Sequence, residues 1–149
     1  MAVLQSAFGE TYATGFPGMD ADGELSNIIT RTLEGATACE FGRPVFRGAA
    51  DKGATLTVSA NLYGFALANK GLALTSNRAA DTYAPLDNLA IKERGKIWVT
   101  SATATTDGAQ VYLTAGGGVT ATVGANQIAT GWFFEDTIAA AGVVRIVRR

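Results

Sequence analysis

The sequence predicts an all-β protein, one compact sandwich or barrel of short strands behind an extended N-terminal arm. Three observations predict it. From residue 41 onward, apolar and polar residues alternate with a period of two, in short runs roughly ten residues apart. Glycine is abundant at 18 residues and proline scarce at 3, which suits many tight turns because glycine reaches positive φ without steric cost. The body holds no long segment of 3.6-residue period, so helix-rich and βαβ architectures are excluded.

Residues 1–35 read as the arm and 36–149 as the body. The arm mixes Gly and Asp with the aromatics Phe8, Tyr12 and Phe16 in no steady period, and Pro17-Gly18 marks a turn. Residues 25–33 admit two readings. Leu25, Ile28, Ile29, Thr32 and Leu33 fall on one helical face, yet the mostly β-branched run 28–32 favours an extended chain. In the body, Leu56, Val58 and Ala60 alternate with Thr55, Thr57 and Ser59, and residues 63–68 read as the next strand. Residues 88–93 and 96–101 predict a hairpin, with Gly95 in its connection. Further strands are expected at 110–114, 119–123, 127–135 and 143–148. Residues 136–141 allow a single helical turn ending at Gly142.

Composition bounds the class. A chain of 149 residues is enough for one domain, and 48% apolar with 17% charged residues excludes general disorder. The single cysteine, Cys39, cannot form an intrachain disulfide and reads as a small buried apolar residue, in keeping with assembly in a reducing cytoplasm. No run approaches 18 apolar residues, and the N-terminus lacks the basic start and apolar stretch of a signal peptide, so no membrane association is expected. The net charge of −1 is unevenly spread. Residues 1–40 carry six acids (Glu10, Asp20, Asp22, Glu24, Glu34, Glu40) against Arg31, and the rest carries eleven bases against seven acids. An acidic arm on a mildly basic body fits docking on a neighbouring copy or a basic partner. The body is not basic enough for a nucleic-acid binder, and no nucleic acid is expected.

Catalytic chemistry finds little purchase. The chain has no histidine, which removes Ser-His-Asp and Cys-His machinery and every histidine metal site, and one cysteine makes no thiolate zinc site. Asp20-Ala21-Asp22-Gly23-Glu24 is the best candidate for a hard cation. Counted from Asp20, however, the positions where an EF-hand needs Gly and Glu hold Leu25 and Arg31, so an acidic turn is the reading. Glu93, Asp107, Glu135 and Asp136 carry no spacing that marks a glycosidase pair. Gly116-Gly117-Gly118 lacks the Gly-Lys-Ser/Thr of a phosphate loop. Glu93-Arg94-Gly95-Lys96 reads as a solubilising turn. No enzymatic activity, cofactor or metal is expected.

The aromatics point to contact. Trp98 shares a strand face with Lys96 and Thr100, opposite Ile97 and Val99, and so either closes a second layer or lies at a contact surface. Trp132-Phe133-Phe134 puts aromatics on both faces of one strand. Both faces then need cover, from a subunit interface or from the chain's own arm.

Taken together, these residues resemble a family of tailed-phage structural cement proteins. The resemblance runs through Phe16-Pro17-Gly18-Met19, then Ile28, Arg31 and Glu34, then Phe41-Gly42-Arg43-Pro44-Val45 and Gly48. It continues through Tyr63-Gly64-Phe65-Ala66, Tyr83, Asp87, Gly95-Lys96-Ile97-Trp98-Val99, Val111-Tyr112 and the stretch 128–133. It implies a β-barrel or jelly-roll-like body. It also implies a capsid decoration protein that binds the outer surface of the major capsid protein shell after assembly in the host cytoplasm and clamps neighbouring subunits. A homodimer or homotrimer at capsid symmetry positions is the expected form. The candidate capsid or subunit contacts are Phe8, Tyr12, Phe16, Met19, Asp20, Asp22, Glu24, Trp98, Trp132 and Phe134. The alternatives are an all-β receptor- or glycan-binding module, with Trp98 or Trp132 as its platform, and another virion protein of the tail or head–tail junction.

Overall fold

The computed structural model describes residues 14–72, 78–124 and 127–149. Their regular structure is all strand: β1 (Asn27–Leu33), β2 (Cys39–Glu40), β3 (Pro44–Arg47), β4 (Gly53–Thr55), β5 (Leu62–Ala66), β6 (Thr82–Tyr83), β7 (Asn88–Ser101), β8 (Gln110–Leu113), β9 (Val119–Thr120), β10 (Ile128–Phe134) and β11 (Gly142–Arg148). Nine of these form one sheet in the order β1-β4-β3-β5-β7-β11-β10-β8-β9. The sheet closes on itself twice, because β1 and β9 both return to β7. The length of β7, 14 residues, makes this possible. Its first half pairs with β1 and β5, its second half with β11, and its last residue, Ser101, meets Val119 of β9. Two small strand circuits therefore share one long strand, and closure leaves few free edges. β2 and β6 form a separate two-stranded ladder.

Each circuit has its own core, built from the inward residues of alternating strands. The first gathers Leu33, Val45, Leu89 and Ile91, with Phe41 edge-on to Tyr83 at 5.3 Å between ring centroids. The second gathers Ile97, Val99, Val111, Leu113, Trp132, Val144 and Ile146. Phe46 and Phe65 belong to strands of the first circuit but pack into the second core, and Phe65 meets Trp132 edge-on at 5.2 Å. An edge-to-face aromatic pair is worth about 0.5–1.5 kcal/mol beyond its buried area, so this contact ties the circuits together. Glu34, just past β1, accepts the backbone N–H groups of Ala49 and Ala50, each at 2.8 Å, and so closes the β3–β4 turn.

Several expectations change. Residues 88–93 and 96–101 are not a hairpin but one strand. Gly95 sits inside it with φ +103°, where a Cβ would lie 2.8 Å from Ser26 Cβ. Asn27 faces Arg94 and Ile28 faces Lys92, so Glu93 is an extra residue and the feature is a bulge. A bulge and a hairpin turn want the same residues. The strands on both edges of β7 decide between them by holding the chain extended. Residues 56–60 leave the sheet after β4, because the Thr55 hydroxyl accepts the Thr57 N–H at 3.2 Å and the Ser59 hydroxyl accepts that of Asn61 at 3.2 Å. Leu56 and Val58 still pack on the two cores. Residues 136–141 form no helical turn; Ile138 instead bridges Thr105. The segment 27–33 is extended and lies in the sheet as β1, with Leu33 fully buried.

Candidate interaction surface

Residues 14–26 form a strap that continues along β7 ahead of β1. The Gly18 N–H donates to Trp98 O at 2.7 Å, Trp98 N–H to Met19 O at 3.0 Å, and Ala21 N–H to Lys96 O at 3.3 Å. Phe16-Pro17-Gly18-Met19 is a tight turn, closed by Met19 N–H on Phe16 O at 3.0 Å. Its Gly18, with φ +81°, is pressed against Gly42, φ +76°, so that a Cβ on Gly42 would sit 2.8 Å from Gly18 N. The two glycine-bearing segments that stood apart in the sequence thus meet backbone to backbone. Gly15 lies directly on the Trp98 indole, leaving that residue 7% exposed, and the Arg145 guanidinium stands 5.6 Å from the ring centre.

The acids of the strap are met by bases of the body. Lys92, whose side chain is 1% exposed, donates its ammonium to Asp20 and to Lys96 O at 3.1 Å. Lys96 gathers three carboxylates around its Nζ: Asp22 at 2.9 Å, Glu24 at 3.0 Å and Glu135 at 3.1 Å. Arg149 reaches Glu24 at 3.3 Å and Glu135 at 3.2 Å. Asp22 chiefly, with help from Glu24 and Glu135, holds the Lys96 ammonium protonated well beyond its ordinary range. Partial desolvation opposes the charge of Asp22, but the Glu24 N–H and the Lys96 ammonium outweigh it and keep the carboxyl below its usual range. Glu24 is held low by Lys96 first and Arg149 after it. The 20–24 loop therefore carries its own cations, supplied as ammonium and guanidinium groups.

The structure sorts the sequence-derived contacts into three groups. Phe16 and Met19 lie on the outside of the strap, each 39% exposed, with the Lys70 ammonium 4.5 Å above the Phe16 ring. Phe16 and Pro17 also wall a cleft of about 400 Å3 with Phe41, Ala80, Asp81 and Thr82. Asp20, Asp22 and Glu24 are engaged in the ionic cluster. Trp98 is covered by the strap, while Trp132 and Phe134 are fully buried in the second core. Phe8 and Tyr12 lie outside the described residues.

Sequence reasoning missed other exposed apolar side chains: Leu25, 99% exposed, Leu86, 75% exposed, and Phe133, 44% exposed. Leu86 sits at the tip of a turn closed by Asp87 N–H on Ala84 O at 3.1 Å, and its φ of +68° is unusual for leucine. No periodicity marks a turn residue. Phe133 had a signal, since it alternates with Trp132 and Phe134 and must face the other way. A second groove, of about 420 Å3, lies beside it, lined by Gly131, Val147, Glu135 and Arg149 among others.

Among the described residues, no cluster of three or more acids, cysteines or histidines is arranged to hold a metal. Burial pushes the Cys39 thiol up to about 12, which makes it a poor nucleophile. What the surface offers is a charge-locked strap and several protruding apolar side chains.

The sequence model of the family described as structural cement protein (E217 gp24/Pam3 gp6) matches residues 4–149. No curated protein matches the chain. Among solved structures, a chain of the capsid of Myoviridae phage XM1 superposes with a TM-score of 0.70 at 18% identity, over 98% of this chain and 97% of that one. At that identity the likeness speaks to the fold. The N base of the head fibre gp8.5 of bacteriophage phi29 aligns with a TM-score of 0.48 at 10% identity, over 83% of this chain and 95% of that one.

Proposed function

This chain belongs to the phage structural cement protein family and has a structural role in the virion capsid; we propose on that footing that it decorates the outer surface of the shell and clamps neighbouring major capsid subunits, as a homodimer or homotrimer at symmetry positions. The observation that carries the reading is the family match over nearly the whole chain. The physics agrees. Cement needs a stiff body in many copies with modest contact per copy, because each added contact on a lattice becomes effectively intramolecular. A doubly closed sheet supplies the stiffness. Phe16 and Met19, with Phe8 and Tyr12 upstream, supply the capsid contact in this reading. The ionic cluster of Asp20, Asp22 and Glu24 ties the Phe16–Met19 turn to the body.

The glycan- or receptor-binding alternative relied on Trp98 or Trp132 as an aromatic platform, and both indoles are buried. The test is a pull-down of the purified protein on expanded, undecorated capsids, with stoichiometry read by gel densitometry. Saturable binding at hundreds of copies, with a raised capsid Tm, is expected. No binding by a folded protein would overturn the reading. Deleting all of residues 1–35 would also remove β1, so the contact is tested with the double variant Phe16→Ala/Met19→Ala, which should keep its fold and lose occupancy.

A further inference from the structure

Among the described residues, glycine aside, only Asp81 and Leu86 hold a positive φ, +59° and +68°. Aspartate tolerates that region, and the Asp81 carboxylate is engaged by Lys70. Leucine does not, because its Cβ crowds a backbone carbonyl oxygen. Pro85 and Leu86 are the central pair of a turn closed by Asp87 N–H on Ala84 O. With proline second and a left-handed third position, this is the turn that places glycine or asparagine where Leu86 stands.

The fold makes little use of the leucine side chain, which is 75% exposed. The backbone beneath it, in contrast, is fastened from several sides. The Leu86 N–H donates to Leu33 O at 3.0 Å, and the Leu33 N–H to Asp87 O at 2.9 Å. The Asp87 carboxylate accepts the Ala84 N–H at 2.7 Å and the Arg78 guanidinium at 2.5 Å. Two residues on, Asn88 accepts the Thr32 hydroxyl at 2.9 Å. A strained conformation persists only where its surroundings over-determine it, and such strain gathers at ligand clamps and active sites. Here the strain is kept by a residue whose side chain is turned to the outside.

We propose that Leu86 is a docking anchor, a leucine held in a glycine's conformation so that it enters an apolar pocket on a major capsid subunit. The proposal rests on the cement reading of the preceding subsection. It gives the clamp a second jaw, with Phe16 and Met19 on the strap as the first. A shell subunit is the partner this geometry suits. A lone leucine beside polar neighbours is too little apolar surface to hold a membrane, and it offers no hydrogen bond to a glycan. Cement contributes modest contact per copy, so each contact gains from an anchor that loses no backbone freedom on docking. The family match also spans this turn.

The test compares wild type, Leu86→Gly and Leu86→Asn as full chains, by titration onto expanded, undecorated capsids and by scanning calorimetry. Both substitutions relieve the backbone, so neither should melt below wild type, and Leu86→Asn should melt about 2–4 °C above it. Both should nevertheless raise the half-saturating concentration on capsids by about 10-fold or more, the loss expected for one buried leucine. Equal or better stability with weaker binding is a pairing that a structural role for the leucine does not produce. Variants that melt well below wild type, or that coat capsids at the wild-type concentration, would overturn the proposal while the cement reading stands. A wild type that ignores capsids overturns the cement reading itself, and the anchor with it. Sedimentation velocity without capsids identifies the other occupant: a change of oligomer mass in the variants assigns Leu86 to a contact between copies and overturns the capsid pocket.

Discussion

Asp20 and Lys92 form an ion pair whose halves are unequally buried, and that inequality predicts unequal variants. The Lys92 side chain is 1% exposed and that of Asp20 46% exposed. Asp20→Ala strands an ammonium in the interior with the Lys96 carbonyl as its acceptor. Stranding one partner of a buried pair costs about 3–5 kcal/mol. Here one side of the pair is open to water, so the expected loss is about 2–3 kcal/mol. Lys92→Met leaves a carboxylate that is already half in water and fills the slot with an apolar chain of similar length. The Lys96 carbonyl keeps its bond from the Ala21 N–H at 3.3 Å. This variant should fall within about 1 kcal/mol of wild type. The double variant should return to the Lys92→Met level, since its Met has no charge to strand, which makes the two sites strongly non-additive. For a domain of this length each kcal/mol moves Tm by about 2–4 °C, so Asp20→Ala should melt roughly 4–12 °C below wild type. Scanning calorimetry of the three variants at pH 7 measures it. Equal losses from the two single variants, or a double variant as unstable as Asp20→Ala, would refute the reasoning.

Gly42→Ala places a Cβ against Gly18 in the left-handed region and should cost about 2 kcal/mol or more by denaturant titration. Gly35→Ala has φ +90° but open space, and should cost only about 1–2 kcal/mol. The carboxyls of Asp22, Glu24, Glu34 and Asp87 all sit below their ordinary values of 3.8 and 4.5, Glu34 through the Ala49 and Ala50 N–H groups and Asp87 chiefly through Arg78. The folded state then binds fewer protons than the unfolded one. Stability is complete above those values and is lost as pH falls through the lower folded ones, so Tm should be flat from pH 7 to about 5 and drop below that, with a shallower drop in Glu34→Gln. Cys39 is fully buried, and its thiol should stay unreactive to Ellman's reagent at pH 8 until denaturant unfolds the chain. Rapid labelling of the folded protein would contradict its placement.

Several elements were legible in the sequence because their signal is local. Strands β8 and β10 lie within the expected ranges and β11 begins one residue ahead of its own, since period-two alternation requires only that one face be wet and the other dry. The β-branched run 28–32 chose the extended state for β1 over the competing helical face. The missing histidines removed whole classes of chemistry without any coordinates. Other features depend on what lies beside a segment, which no local pattern states. Polar residues around Gly95 suit a turn or a bulge equally, and only the strands on both edges of β7 select the bulge. The acids at 20–24 had no visible partner, because Lys92, Lys96 and Arg149 reach them through pairings far apart along the chain.

The sequence by itself thus determined an all-β domain, the direction in which Phe133 points relative to its neighbours, and the absence of histidine chemistry. These follow from side-chain type and backbone period alone. Only the tertiary structure decided that the sheet closes twice around one long strand and that Trp98 lies beneath the strap. The physical reason is that closure and cover are set by contacts between distant segments, and their free energy belongs to the pair of surfaces rather than to either stretch of sequence.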